Sequence, residues 1–132
     1  MEKSINISSK IENLRVIEKI IDEISAQCCL SNEIYGNVLI ATLEAVNNAI
    51  THGNKLDETK IVTLSFVCSE EELKIVVIDQ GCGFDYLHIP DPTAPENLEN
   101  INGRGIFLME KLSDELNFYN KGSKVELIFN LT

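Results

Sequence analysis

Residues 60–68, KIVTLSFVC, and 73–78, LKIVVI, are two runs of β-branched and aromatic residues separated by the short polar link Ser69–Glu70–Glu71. Such runs favour extended backbone, and a link this short makes them an antiparallel hairpin. Residues 116–120 and 124–131 repeat the pattern around Lys121–Gly122–Ser123, which predicts a second, closing hairpin. Residues 4–8, SINIS, alternate weakly and suit a short edge strand. The remaining periodic segments are helical. Ser9 and Glu12 have capping-box spacing, and Ile11, Leu14, Ile17, Ile21, Ile24 and Cys28 recur at three- or four-residue steps. Ser31 suits the N-cap of a second helix reaching Ile50 or Thr51, with Gly53 ending it through a positive φ. Ile106, Met109, Leu112 and Leu116 place a third helix from about Gly105. The order of strand, two helices, two strands, helix and two strands predicts an α+β fold. It is a two-layer α/β sandwich with helices on one face of a mostly antiparallel mixed sheet.

The chain has 132 residues, 44% of them hydrophobic, which suits a single domain over 1–132 with a real core. The long segment 80–103 carries all three prolines and little periodicity. Its residues 85–102 read as a functional lid. No apolar run approaches the length needed to cross a bilayer, and the N-terminus lacks the basic start and apolar stretch of a signal peptide. A cytoplasmic protein is expected. Four cysteines are present without a CxxC pair, so reduced thiols are expected rather than zinc ligands or bridges. A formal charge of −10 disfavours nucleic acid and anionic membrane as partners. It is compatible with a basic protein partner, and equally with a charge that only keeps the chain soluble.

Residues 41–54, ATLEAVNNAITHGN, crowd polar groups onto an apolar helix. At 100° per residue from Glu44, Asn48 falls at about 40°, Asn47 at about 300°, Thr51 at about 340° and His52 at about 80°. Val38, Leu39, Thr42, Leu43, Ala45, Val46, Ala49 and Ile50 fill the opposite arc. Because Ile40 and Ala41 lie earlier on the polar side, this is a notch rather than a solvated stripe, and the pattern favours a ligand there. An amide oxygen such as that of Asn48 suits Mg²⁺. A carboxylate one turn away, Glu44, is placed to take a proton from a hydroxyl or a water. His52 reads as a helix-end histidine bonded to backbone.

In IVVIDQGCGFD, 75–85, a buried strand ends in Asp79 followed by Gly81 and Gly83. This puts a carboxylate at the mouth of the sheet and lets backbone approach a flat ligand. It is not a dinucleotide fingerprint, since Tyr86 stands where a third glycine is needed, and no GxxxxGK[ST] occurs. In NGRGIFLMEKL, 102–112, a glycine pair opens a helix, an arrangement whose free N–H groups suit phosphate, with Arg104 adding charge.

These three segments resemble, in order and spacing, the N box (Glu44–Asn48), adenine box (Asp79–Gly83) and final glycine box (GRGIFLM, 103–109) of the GHKL ATPase superfamily. Within it, EAVNNAITHGN and GRGIFLMEKLSDEL look most like the anti-sigma-factor serine kinases of the RsbW type. The resemblance implies ATP and Mg²⁺ as cofactors, with Glu44 as the base acting on an acceptor serine and Asn48 as the Mg²⁺ ligand, Asn47 beside it. It implies Asp79 bonded to the adenine amino group in a pocket shaped by Gly81 and Gly83. Gly103, Arg104 and Gly105 would lie at the phosphates, with Ile106 next to them. The implied partners are a small STAS-domain antagonist as substrate and a sigma factor, and a homodimer is possible. Two other readings remain open. One is a non-catalytic ATP-binding module that acts by sequestration. The other is a detached histidine-kinase-type ATPase unit.

Overall fold

The computed structural model describes residues 1–81 and 101–132, with the side chains of 101–104 excepted. Five strands form one sheet: β1 (Glu2–Ser8), β2 (Ile61–Cys68), β3 (Glu72–Ile78), β4 (Glu115–Tyr119) and β5 (Lys124–Asn130), in the order β1-β2-β3-β5-β4. Each of these pairings is antiparallel. Among the described residues, three α-helices accompany the sheet: α1 (Leu14–Cys28), α2 (Asn32–Asn48) and α3 (Ile101–Leu112). Both expected hairpins form, and β1 takes the sheet edge.

Alternation sets which face is covered. Val62, Leu64 and Phe66 of β2, Leu73, Ile75 and Val77 of β3, and Val125, Leu127 and Phe129 of β5 are all buried. They meet the stripe Ile17, Ile20, Ile21 and Ile24 of α1 and the α2 residues Val38, Ala41, Ala45 and Val46 in one core. The intervening strand residues face outward, as a period of two requires. The helix α2 is the centre of the helical layer, packing on α1, α3, β3 and β5. No helix among the described residues is long and apolar enough to cross a membrane.

Ser31 caps α2 as expected, its Oγ accepting from the Ile34 N–H at 3.2 Å. Ser9 does not cap α1. Its hydroxyl is buried, donates to the Lys60 carbonyl at 2.8 Å and accepts from Asn54 Nδ2 at 2.9 Å. A buried amide without a partner costs more than a lost cap, so the hydroxyl goes inward. The chain enters α1 instead through a 3₁₀ turn, Ile11–Asn13, which leaves Ile11 exposed rather than on the core stripe. The helix α1 ends at Cys29, whose φ of 54° places it in the left-handed region.

The end of α2 also departs from expectation. The α-helix stops at Asn48 and widens into a π turn, Ala49–Gly53, closed by the Asn54 N–H on the Ala49 carbonyl at 2.8 Å. Gly53 is not among the residues with positive φ; Lys55 (53°) and Leu56 (61°) make that reversal. Glycine is needed at 53 for space. A Cβ there would lie 2.8 Å from Asp79 Oδ1 and closer still to Oδ2. The third helix begins at Ile101 rather than at Gly105, so the glycine pair lies inside its first turns.

Candidate nucleotide site

The π turn of α2 meets the chain as it leaves β3, and the meeting is tight. Asp79 follows the last residue of β3, and its N–H donates to the Ser123 carbonyl at 2.9 Å in the β4–β5 turn. Its Oδ1 accepts from the Gly81 N–H at 2.8 Å. A Cβ on Gly81 would strike the Gly53 carbonyl oxygen, so Gly53, Asp79 and Gly81 interlock with no room for a side chain at either glycine. Burial pushes the Asp79 carboxyl above its ordinary value, while the Gly81 N–H and the charge of Lys60 act against that rise. A half-buried carboxylate at the mouth of a cleft is a group that a ligand could engage.

The cleft itself has a volume of about 520 Å³ including its open mouth. Its walls are apolar, built by Ala45 of α2, Ala49 of the π turn, Val77 of β3, Ile106 and Met109 of α3 and Val125 of β5. Asn48, His52 and Asp79 supply polar groups at its rim. Apolar walls with a few placed polar groups suit a planar aromatic ligand carrying hydrogen-bonding edges.

Glu44 and Asn48 stand one turn apart on α2, and α3 crosses them at Gly105. A Cβ at Gly105 would lie 2.9 Å from Glu44 Oε2 and 3.4 Å from Asn48 Nδ2. The structure therefore brings Glu44, Asn48, Asp79, Gly81, Gly105 and Ile106 to one end of the helical layer. Ile106 serves there as an apolar wall. Asn47 does not share in this; its Oδ1 accepts from Thr51 Oγ1 at 3.4 Å, and it is not among the residues lining the cleft. His52 is exposed at the rim. Gly103 and Arg104 lie in the first turn of α3. Gly83 and the expected lid at 85–102 lie outside the described residues, except for the helical start at 101–102.

The cleft meets the requirements of an adenine nucleotide with Mg²⁺ on the residues present. Asp79 offers an acceptor beside backbone stripped of side chains, and Asn48 offers an amide oxygen further along the same wall. Among the described residues, no group of three or more His, Cys, Asp or Glu side chains could hold a metal alone. Mg²⁺ itself takes one or two protein ligands and completes its shell with water and phosphate.

Asn54 escaped the sequence reading. It is buried, its Oδ1 accepts from the Gln80 N–H at 2.7 Å, and its Nδ2 donates to Ser9 Oγ and the Ile61 carbonyl. The only signal in the sequence was a polar residue directly after Gly53.

Residues 7–129 match the family model described as the histidine kinase-like ATPase domain. The chain is 38% identical over 95 residues to the anti-sigma F factor of Clostridium perfringens, strain SM101, covering 67% of each protein. It is 33% identical over 115 residues to the serine-protein kinase RsbW of Bacillus licheniformis, covering 82% of this chain and 71% of that one. With the serine-protein kinase RsbW of Staphylococcus epidermidis it shares 40% identity over 87 residues, but spans only 55% of that protein. Its fold superposes on a crystal structure of the RsbU and RsbW domains of Rv1364c from Mycobacterium tuberculosis with a TM-score of 0.68. That match has 16% identity and covers 98% of this chain and 32% of that one. On the extent of these matches and the geometry of its cleft, the chain belongs to the histidine kinase-like ATPase family, on the branch that holds the RsbW-type proteins.

Proposed function

We propose that the chain is an ATP- and Mg²⁺-dependent protein-serine kinase that also acts as an anti-sigma regulator. In this reading its substrate is a small STAS-domain antagonist in a partner-switching pathway, and the second partner is a sigma factor. The observation that carries it is that Asp79 and Asn48 line one cleft, while Glu44, one helix turn from Asn48, meets α3 with it at Gly105. A module that only sequestered a partner would have no use for Glu44 beside Asn48.

Each residue has a role that follows from its chemistry. Asp79 accepts from the adenine amino group, and Gly81 leaves its backbone open to the ring. Asn48 holds Mg²⁺ through its amide oxygen. ATP with its metal supplies the phosphoryl group and neutralises charge as it transfers. Glu44 takes the proton of the acceptor hydroxyl, and the apolar walls at Ala45, Ala49 and Ile106 exclude competing water. Gly103 and Arg104 stand at the start of α3, where N–H groups without intrahelical partners suit phosphate.

The test is transfer of ³²P from ATP to a STAS-domain protein encoded beside this chain, followed by acid treatment. Acid-stable label marks phosphoserine, whereas acid-labile label would point to a histidine-kinase-type unit. Glu44→Gln should lower transfer by about 10²–10⁴-fold with ADP affinity nearly unchanged, since it keeps shape but cannot accept a proton. Transfer at the wild-type rate in that variant would make Glu44 structural.

A further inference from the structure

Asn54 is 1% exposed and follows the π turn by one residue. Its amide joins three separate parts of the chain. The Oδ1 accepts from the Gln80 N–H at 2.7 Å, and Nδ2 donates to Ser9 Oγ at 2.9 Å and to the Ile61 carbonyl at 3.0 Å. Gln80 is held a second time, its Oε1 accepting from the Ile61 N–H at 2.7 Å. Gln80 lies between Asp79 and Gly81, the two residues that form the base end of the cleft. The backbone of Asn54 is fixed as well, through its N–H on the Ala49 carbonyl and its carbonyl on the Asp57 N–H at 3.1 Å. The carboxamide thus clamps the Asp79–Gly81 segment to the end of α2 and the start of β2, without lining the cleft itself.

We propose that Asn54 is a positioning residue for nucleotide-base recognition: through Gln80 it fixes the height of the Asp79 carboxylate and the Gly81 backbone against Gly53, and thereby sets adenine selectivity. This rests on the nucleotide reading of the cleft. A buried amide satisfied at its oxygen and by both its donors, from three sequence-distant segments, has little tolerance for movement. Its acceptor and donor ends also serve different purposes. The Oδ1 end controls the recognition segment, while the Nδ2 end ties α2 to the β1–β2 side of the sheet. The two ends are therefore separable by substitution.

The experiment uses the full chain as wild type, Asn54→Ala, Asn54→Asp and Ser9→Ala. It measures Mg²⁺–ADP and Mg²⁺–GDP affinity by calorimetry, melting temperature, and amide exchange at Gln80 without nucleotide. In Asn54→Ala, ADP affinity should fall by roughly 5- to 50-fold with a reduced ADP-over-GDP ratio, the range expected when a buried bond is lost. Its Gln80 amide should exchange faster. Ser9→Ala removes a partner of the Nδ2 end only, so its melting temperature should fall while the ADP-over-GDP ratio stays within about twofold of wild type. Asn54→Asp keeps the oxygen that accepts from Gln80 and should retain selectivity despite lower stability; it carries the test if Asn54→Ala does not fold. A wild-type ratio in Asn54→Ala, or lost selectivity in Asn54→Asp with Gln80 still protected, overturns the proposal alone. A wild-type chain that binds neither nucleotide overturns the nucleotide reading and this proposal with it.

Discussion

Gly53→Ala is a small substitution that should damage stability and binding together, whereas Gly36→Ala, within α2, should raise stability. At Gly53 the added Cβ would lie 2.8 Å from Asp79 Oδ1 and nearer still to Oδ2 and Cγ. The carboxylate must retreat by about 1 Å before the contact becomes tolerable. Its Oδ1 is already bonded to the Gly81 N–H at 2.8 Å, and a shift of about 1 Å takes that bond out of hydrogen-bonding range. A bond to a carboxylate contributes about 1.5–3 kcal/mol, and alanine returns up to about 1 kcal/mol through lower backbone entropy in the unfolded chain. The net loss is about 0.5–2.5 kcal/mol, or roughly 2–9 °C in melting temperature for a domain of this size. With Asp79 facing adenine as we propose, the displaced carboxylate would lose that partner, and ADP should bind about 5- to 150-fold more weakly. At Gly36, by contrast, a Cβ meets nothing within 4 Å, and the helix should gain about 0.5–1 kcal/mol. Calorimetric melting and Mg²⁺–ADP titration of the two variants side by side make the assay. If Gly53→Ala binds ADP within about twofold of wild type, or melts as high as Gly36→Ala, the close approach of Gly53 to Asp79 does not govern the site.

Asp79 also predicts a pH dependence. Its carboxyl is raised by burial, so the folded state holds this proton more tightly than the unfolded state does. Stability of the nucleotide-free protein should therefore fall as pH rises from the ordinary value of 3.8 through the raised folded value, and stay lowered above it. Asp79→Asn should flatten that limb in pH-dependent melting while weakening ADP binding; a limb of unchanged slope would assign it elsewhere. Asn48→Ala should abolish the Mg²⁺-dependent part of ATP binding, and titrations with and without Mg²⁺ that weaken equally would remove it as the metal ligand. Burial, with the Cys68 thiol beside it, pushes Cys28 up to about 12, whereas Cys29 is exposed. Iodoacetamide at pH 8 should label Cys29 well before Cys28 by peptide mass mapping, since the thiolate is the reactive form; the reverse order would contradict the burial of Cys28.

What could be read from sequence was whatever is decided within one or two turns of chain. The Ser31 cap, the two hairpins and the pairing of Glu44 with Asn48 follow from spacings of two to four residues, and all stand in the structure. The misreadings have partners far away in sequence. Ser9 has a sound capping-box spacing, but its hydroxyl is claimed by Asn54, 45 residues on. Gly53 has the right place for a helix-ending positive φ, yet what requires glycine there is a carboxylate 26 residues later. Asn54 gave no periodic signal because its value lies wholly in a three-way contact. The wheel put Asn48 and Asn47 on either side of Glu44, but an isolated wheel does not say where α3 will cross. That crossing occurs at Gly105, over Glu44 and Asn48.

The two ends of the cleft are built differently, and that difference is measurable. At the base end, three successive amides are bonded within the protein itself: Asp79 to the Ser123 carbonyl, Gln80 to Asn54 Oδ1 and Gly81 to Asp79 Oδ1. Two of the three acceptors belong to other parts of the fold, so the segment is held from the sheet and from the end of α2 together. At the other end, where we place the chemistry, Glu44 and Asn48 lie under α3 where Gly105 crosses α2. A site formed in advance loses little conformational entropy when its ligand arrives. Amide exchange at 79–81 should therefore be slow in the free protein and change by less than about threefold with saturating ADP, because opening there is governed by bonds to the protein's own acceptors. If those amides exchange freely until ADP is added, the base site is assembled by the ligand. The tight packing of Gly53, Asp79 and Gly81 would then describe the bound state rather than the ground state.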